Sequence, residues 1–238
     1  NGKIYGIPYD GTTIGVVDPE TNTIDTTSIT LTDGSTLAGA NKWYGGVLGQ
    51  NGKIYGVPRL ASLVCVIDPE AGTVDTTSIV LASGSTFSAG AKWQGGALAP
   101  NGKIYCIPRD SPTIGVIDPV AGTIDTTSVS LATGATLSAS GKYSCGVLAM
   151  DGKIYGMPRA AQNILVIDPA QNIAYTNLVT PTTGSTLPAS VGIAFLSGCL
   201  GDNGKIYGIP YFSSDILEVT PGFPSLPPWM LAPEFNKF

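Results

Sequence analysis

The chain has 238 residues, of which 43% are hydrophobic and 12% charged, with a net charge of −5 and no histidine. That acidity excludes a general nucleic-acid binder, which needs basic surface to displace counterions. The missing histidine excludes Ser-His-Asp and Cys-His chemistry and histidine metal sites, and no apolar stretch reaches the roughly 18 residues of a membrane span. In chain order, KIYGIPY (Lys3 to Tyr9) reads as a first strand and TIGVVDP (Thr13 to Pro19) as a second. TIDTTSITL (Thr23 to Leu31) reads as a third with polar alternation, and WYGGVLG (Trp43 to Gly49) as a fourth. Turn residues separate them: Asn51-Gly52, Asp18-Pro19 and Asp33-Gly34.

The set then repeats. NGKIYGIP at Asn1 returns as NGKIYGVP at Asn51, NGKIYCIP at Asn101, DGKIYGMP at Asp151 and NGKIYGIP at Asn203. A period near 50 without helical patterning predicts the blades of an all-β propeller. The first two runs are apolar on both faces, as middle strands between neighbouring blades must be. Gly45-Gly46 and Gly95-Gly96 in the fourth run suit an inner strand crowded around an axis. The run WYGGVLG is therefore expected innermost (A), followed outward by KIYGIPY (B), VVDP (C) and IDTTSITL (D). Five B strands predict a five-bladed propeller over residues 1–222, with repeats starting at 1, 51, 101, 151 and 203. The first and last blades are incomplete: the first lacks A, and the last lacks an evident D. A Pro-rich tail, residues 223–238, contains Trp229 to Pro233. It is expected to act as a closing strand, the rival being an edge filled by a neighbouring chain.

The run GVLGQNGKIYGVP…VCVIDPEAGTV resembles blades of the kelch and YVTN propeller groups, which place Asn/Asp-Gly-Lys-Ile-Tyr before strand B and an Asp turn after strand C. The resemblance covers residues 1 to about 222 and implies fold rather than function. Kelch repeats have a glycine pair where Ile-Pro or Val-Pro stands here. In arrangement the chain also looks like five-bladed lectins of the tachylectin-2 kind, although the blade sequences differ.

The candidate site follows from the topology. The D-to-A and B-to-C connections share one face. The first carries Lys42, Lys92 and Lys142, each followed by an aromatic residue, Trp43, Trp93 or Tyr143. The second carries Arg59, Arg109 and Arg159, with Tyr9 and Tyr211 in the matching outer positions. This combination points to a face that binds anionic or sugar groups, against the plainer reading of a solvated rim with aromatics packed between blades. Lys3, Lys53, Lys103, Lys153 and Lys205 lie on the opposite face and are read as merely exposed. Asp18, Asp68, Asp118 and Asp168 precede proline and are read as turn residues. Cys65, Cys106, Cys145 and Cys199 occupy unrelated repeat positions and are read as unbonded, buried fillers. The expectation is a non-enzymatic binding module, lectin-like, taking carbohydrate or a protein partner, with no cofactor, no metal and no nucleic acid. The alternative is a structural protein that self-associates through unfilled blade edges. The compartment stays open, an extracellular one being preferred.

Overall fold

The computed structural model describes residues 1–179, 187 and 193–222. The expected closing strand around Trp229 lies outside them. The described residues form strands and turns without helix, in five small sheets arranged in a ring: a five-bladed β-propeller. Blade 1 holds β1 (Ile4–Gly6), β2 (Gly15–Asp18) and β3 (Thr23–Asp25). After β4 (Thr30–Leu31), blade 2 holds β5 (Trp43–Leu48), β6 (Ile54–Pro58), β7 (Cys65–Asp68) and β8 (Thr73–Asp75). After β9 (Val80–Leu81), blade 3 holds β10 (Trp93–Leu98), β11 (Ile104–Pro108), β12 (Gly115–Asp118) and β13 (Thr123–Asp125). After β14 (Ser130–Leu131), blade 4 holds β15 (Tyr143–Leu148), β16 (Ile154–Pro158), β17 (Leu165–Asp168) and β18 (Ile173–Tyr175). Blade 5 shows β19 (Phe195–Leu200), β20 (Ile206–Pro210) and β21 (Leu217–Val219).

One expectation is corrected. The run Thr23 to Leu31 is not one outer strand. Asp25 Oδ1 accepts the Thr27 backbone N–H and hydroxyl, both at 2.7 Å, and this turn ends β3. The chain then crosses to the next blade, where β4 pairs in parallel with β8, Thr30 opposite Thr73. β9 docks on β13 and β14 on β18 in the same way. A hydroxyl latch follows: Ser35 Oγ accepts the Thr76 N–H at 2.9 Å, and Ser85 Oγ the Thr126 N–H at 3.0 Å. The first three repeats thus each lend the next blade a fifth, outermost strand.

The recurrent octapeptide is a self-contained turn. Asn51 Oδ1 accepts the Lys53 N–H at 3.2 Å while its amide donates to the Tyr55 hydroxyl at 2.9 Å. The same pair of bonds recurs at Asn1, Asn101 and Asn203, and at Asp151 the Tyr155 hydroxyl donates to the carboxylate. Gly52 supplies the positive φ the turn requires, 77°. The repeated lysines are not merely exposed: Lys3, Lys53, Lys103 and Lys153 pair with Asp18, Asp68, Asp118 and Asp168 at 3.0–3.8 Å. Such exposed pairs contribute little stability. The Asp68 and Asp118 carboxyls are held below the usual range first by the backbone N–H groups of Ala71 and Ala121.

Glycine sets how closely the blades approach. Inner strands β5, β10 and β15 each bulge after their first aromatic residue. A Cβ on Gly46 would lie 2.6 Å from Ile7 Cδ1, and one on Gly146 2.6 Å from Ile107 Cδ1. An aliphatic knob from each blade therefore seats on the next blade's inner-strand glycine. Beside β1, where blades 2–5 carry an inner strand, a cleft of about 590 Å³ opens between Tyr5, Leu48 and Ile54.

Candidate functional site

The expected site residues are joined by a belt of backbone hydrogen bonds around one face of the ring. Lys42 N–H donates to Tyr9 C=O (2.9 Å), Arg59 to Lys42 (2.7 Å), Lys92 to Arg59 (2.9 Å) and Arg109 to Lys92 (2.9 Å). Lys142 donates to Arg109 (2.9 Å), Arg159 to Lys142 (2.8 Å), Ala194 to Arg159 (2.7 Å) and Tyr211 to Ala194 (2.9 Å). The belt crosses all four junctions from blade 1 to blade 5. It fixes where every candidate side chain starts.

The side chains then part company. Lys42, Lys92 and Lys142 are buried, contrary to the expected solvated rim. Lys42 Nζ donates to the carbonyls of Gly39 (2.7 Å) and Gly11 (3.0 Å), and Lys142 Nζ to that of Ala139 (2.6 Å). Lys92 Nζ lies 5.4 Å from the Phe87 ring centroid. Lys42 and Lys142 thus cap loop carbonyls, and Lys92 packs its amine over an aromatic ring. Trp43, Trp93 and Tyr143 are buried too. The indoles donate to Leu63 C=O (2.7 Å) and Thr113 C=O (2.9 Å), and the Tyr143 hydroxyl donates to Asn163 Oδ1. The aromatic half of the expected site is core.

Burial drives the Lys142 amine down to about 8, with the Asp110 charge acting in the opposite direction. Its folded-state value is therefore below the ordinary lysine value of about 10.4, and the unfolded chain binds more protons between the two. Stability rises with pH across that window. The melting temperature is expected to climb from pH 8 to 10, and to climb less in Lys142→Met. An equal climb in the variant would assign the effect to another group.

The arginines remain as candidates. Arg59 Nη1 donates to the Tyr9 hydroxyl (2.7 Å) and to Asn41 Oδ1 (2.6 Å), and its guanidinium lies 5.3 Å from the Tyr9 ring centroid. Tyr9 in turn meets Tyr44 edge-on, with ring centroids 5.9 Å apart. Arg109 pairs with Asp110, whose other oxygen accepts the Gly141 N–H at 2.6 Å. Burial lowers the Arg159 guanidinium, and the charges of Arg109 and Arg59 lower it further, while Asp110 and Tyr44 act in the opposite sense. Arg159 Nη1 lies 2.8 Å from where a Cβ on Gly141 would stand, beside the Asp110 that pairs with Arg109, so these guanidiniums share one mouth of the ring. Among the described residues no ion pair includes Arg59 or Arg159. The mouth holds surplus positive charge on an acidic chain.

Tyr9, Asn41, Tyr44 and Asp110 belong to this mouth and are not among the residues picked from the sequence. Tyr9 carried a signal, standing where later repeats have arginine. Asp110 shares its type with its blade 1 equivalent Asp10, which likewise accepts a loop N–H, that of Asn41 at 2.6 Å, while Leu60 and Ala160 stand in blades 2 and 4.

The cysteine expectation also changes. Cys65 and Cys106 are buried, and burial pushes the Cys65 thiol up to about 12 and that of Cys106 higher. Cys145 is half-buried, and Cys199 is exposed.

No family model and no curated protein matches the sequence. Solved structures do match in fold. Virginiamycin B lyase from Staphylococcus aureus is 15% identical with a TM-score of 0.61, over 93% of this chain and 67% of the lyase. An auxiliary nutrient binding protein from Bacteroides ovatus is 14% identical with a TM-score of 0.58, over 92% of this chain and 52% of that one. The extracellular domain of a hybrid two-component system from B. thetaiotaomicron is 12% identical with a TM-score of 0.57, over 91% of this chain and 25% of that one. At these identities the likeness establishes the propeller fold. It also corrects the expectation of a non-enzyme: the same architecture serves a lyase, so an enzymatic role is open to this chain.

Proposed function

We propose that the mouth formed by Arg59, Arg109 and Arg159 binds a small anion, a carboxylate, sulfate or phosphate group carried by a saccharide or another small molecule. One observation carries the reading: three repeat-equivalent arginines stand on one backbone belt, Arg159 beside the Asp110 that pairs with Arg109, and two of the three have no carboxylate partner among the described residues. Like charges brought together cost energy unless a counter-charge joins them. Guanidiniums present paired donors to planar or tetrahedral oxyanions, which lysine does not. Tyr9 and Tyr44 add aromatic edges suited to a sugar ring. Fold neighbours that include a nutrient-binding protein and an extracellular sensor domain support a ligand-binding use.

The test is calorimetric titration of the intact chain with inorganic sulfate, an acidic disaccharide and its neutral counterpart. Sulfate and the acidic disaccharide should bind, more weakly as salt is raised, and the neutral sugar should not. Equal binding of neutral and acidic sugars would move recognition away from the arginines.

A further inference from the structure

Four blade junctions lie inside the chain, and each is made from the same two half-faces. The leading blade offers aliphatic side chains of its B and C strands, such as Ile107 and Ile114. The following blade offers the outer aliphatic row of its own B, C and D strands, such as Ile154, Ile167 and Ala174. All five are buried, in one continuous cluster.

The two faces that border the fifth junction of the ring lie open among the described residues and carry similar aliphatic rows, except that an exposed Glu218 on blade 5, paired with Lys205, stands where Val166 is buried in blade 4. On blade 5, Ile216 is 67% exposed while its equivalent Ile164 is 3% exposed. Ile209 is exposed beside it, where Met157 is buried. On blade 1, Ile24 is 70% exposed while its equivalent Ile124 is 1% exposed. Ile4 and Val17 are exposed beside it, where Ile104 and Ile117 are buried. The outer edge of β3 also has no parallel partner among the described residues, whereas β8, β13 and β18 each have one. Contiguous exposed apolar rows of this kind mark interaction surfaces.

We propose that these faces join two copies of the chain head to tail, the open face of blade 5 in one copy packing on the open face of blade 1 in the next. The internal junctions argue for this occupant, since each shows the same two half-faces already fitted together. The contact is heterologous, so it either closes into a ring of copies or extends as a filament. It is independent of the arginine mouth.

The experiment is sedimentation velocity on the full chain from micromolar to millimolar concentration, together with Ile216→Asp and Ile24→Asp. Both residues are exposed, so each variant should keep the wild-type melting temperature. The wild type should associate with rising concentration, and each variant alone should remain a monomer, because every contact between its copies would include one altered face. An equimolar mixture of the two variants should form a dimer. In it, the Ile216→Asp copy contributes its intact blade 1 and the Ile24→Asp copy its intact blade 5. A wild type that stays monomeric throughout, variants that still associate alone, or a mixture that stays monomeric would overturn the proposal. A monomeric wild type whose melting temperature falls in both variants would show the two faces pairing within one chain instead.

Discussion

Replacing Trp93 with alanine should destabilise the chain by roughly 3–5 kcal/mol, the usual cost of emptying a large aromatic site. For a chain of this size that lowers the melting temperature by about 10 °C or more. Trp93 is fully buried between blades 2 and 3, among Tyr55, Val57, Val64 and Ile117. Its ring meets Phe87 edge-on at 5.9 Å, and its indole N–H satisfies Thr113 C=O. Alanine would remove the packing and leave that carbonyl without its donor. Thermal denaturation followed by circular dichroism measures the loss. An unchanged melting temperature with weakened ligand binding would return Trp93 to the binding face expected from the sequence.

Gly115→Leu should be nearly as damaging, at about 3 kcal/mol, the upper range for forcing extra volume into a packed core. A Cβ on Gly115 would already lie 2.8 Å from Trp93 Cζ2. Yet leucine occupies this position in blade 4, as Leu165, opposite Gly156 and beside Tyr143. Blade 3 solves the same space with Trp93, Cys106 and Gly115, and Cys106 pairs directly opposite Gly115. In blade 2 the cysteine changes strand, and Cys65 stands opposite Gly56. Volume is traded between neighbours so that each cross-strand pair in blades 2–5 keeps one glycine, and the blade 1 pair, Gly6 and Gly15, keeps two. Adding Trp93→Tyr and Cys106→Gly to Gly115→Leu should therefore recover most of the loss, a coupling that single-site costs would not show. No recovery in urea denaturation of the triple variant would sink the exchange.

The exchange explains why the cysteines were hard to read. Taken one at a time, Cys65 and Cys106 fall at unrelated repeat positions. Only the strand register shows that both belong to one cross-strand pair. The blades themselves were legible, because the Asn-Gly-Lys-Ile-Tyr turn is local and its hydrogen bonds lie within four residues. Strand D was misread because residues Thr23 to Leu31 keep β-like composition through the Asp25 turn, while the crossover to the next blade is a long-range pairing. The site was half legible. Topology correctly placed lysines and arginines along one belt, and burial then separated them. Each lysine tail folds back on its own loop, as Lys142 does onto Ala139. The guanidiniums of the B-to-C loops turn to the mouth. Position along the chain does not encode that divergence; the loop carbonyls that capture the amines do.

The most direct test of the central claim is the effect of inorganic sulfate on the melting temperature of two variants. One replaces Arg59, Arg109 and Arg159 together with glutamine, and the other replaces Lys3, Lys53 and Lys103 with glutamine on the opposite face. A ligand that binds only the folded chain raises its melting temperature. Sulfate should stabilise the wild type and the lysine variant alike and leave the arginine variant unmoved. Equal stabilisation of all three proteins would contradict an anion site at the arginine mouth.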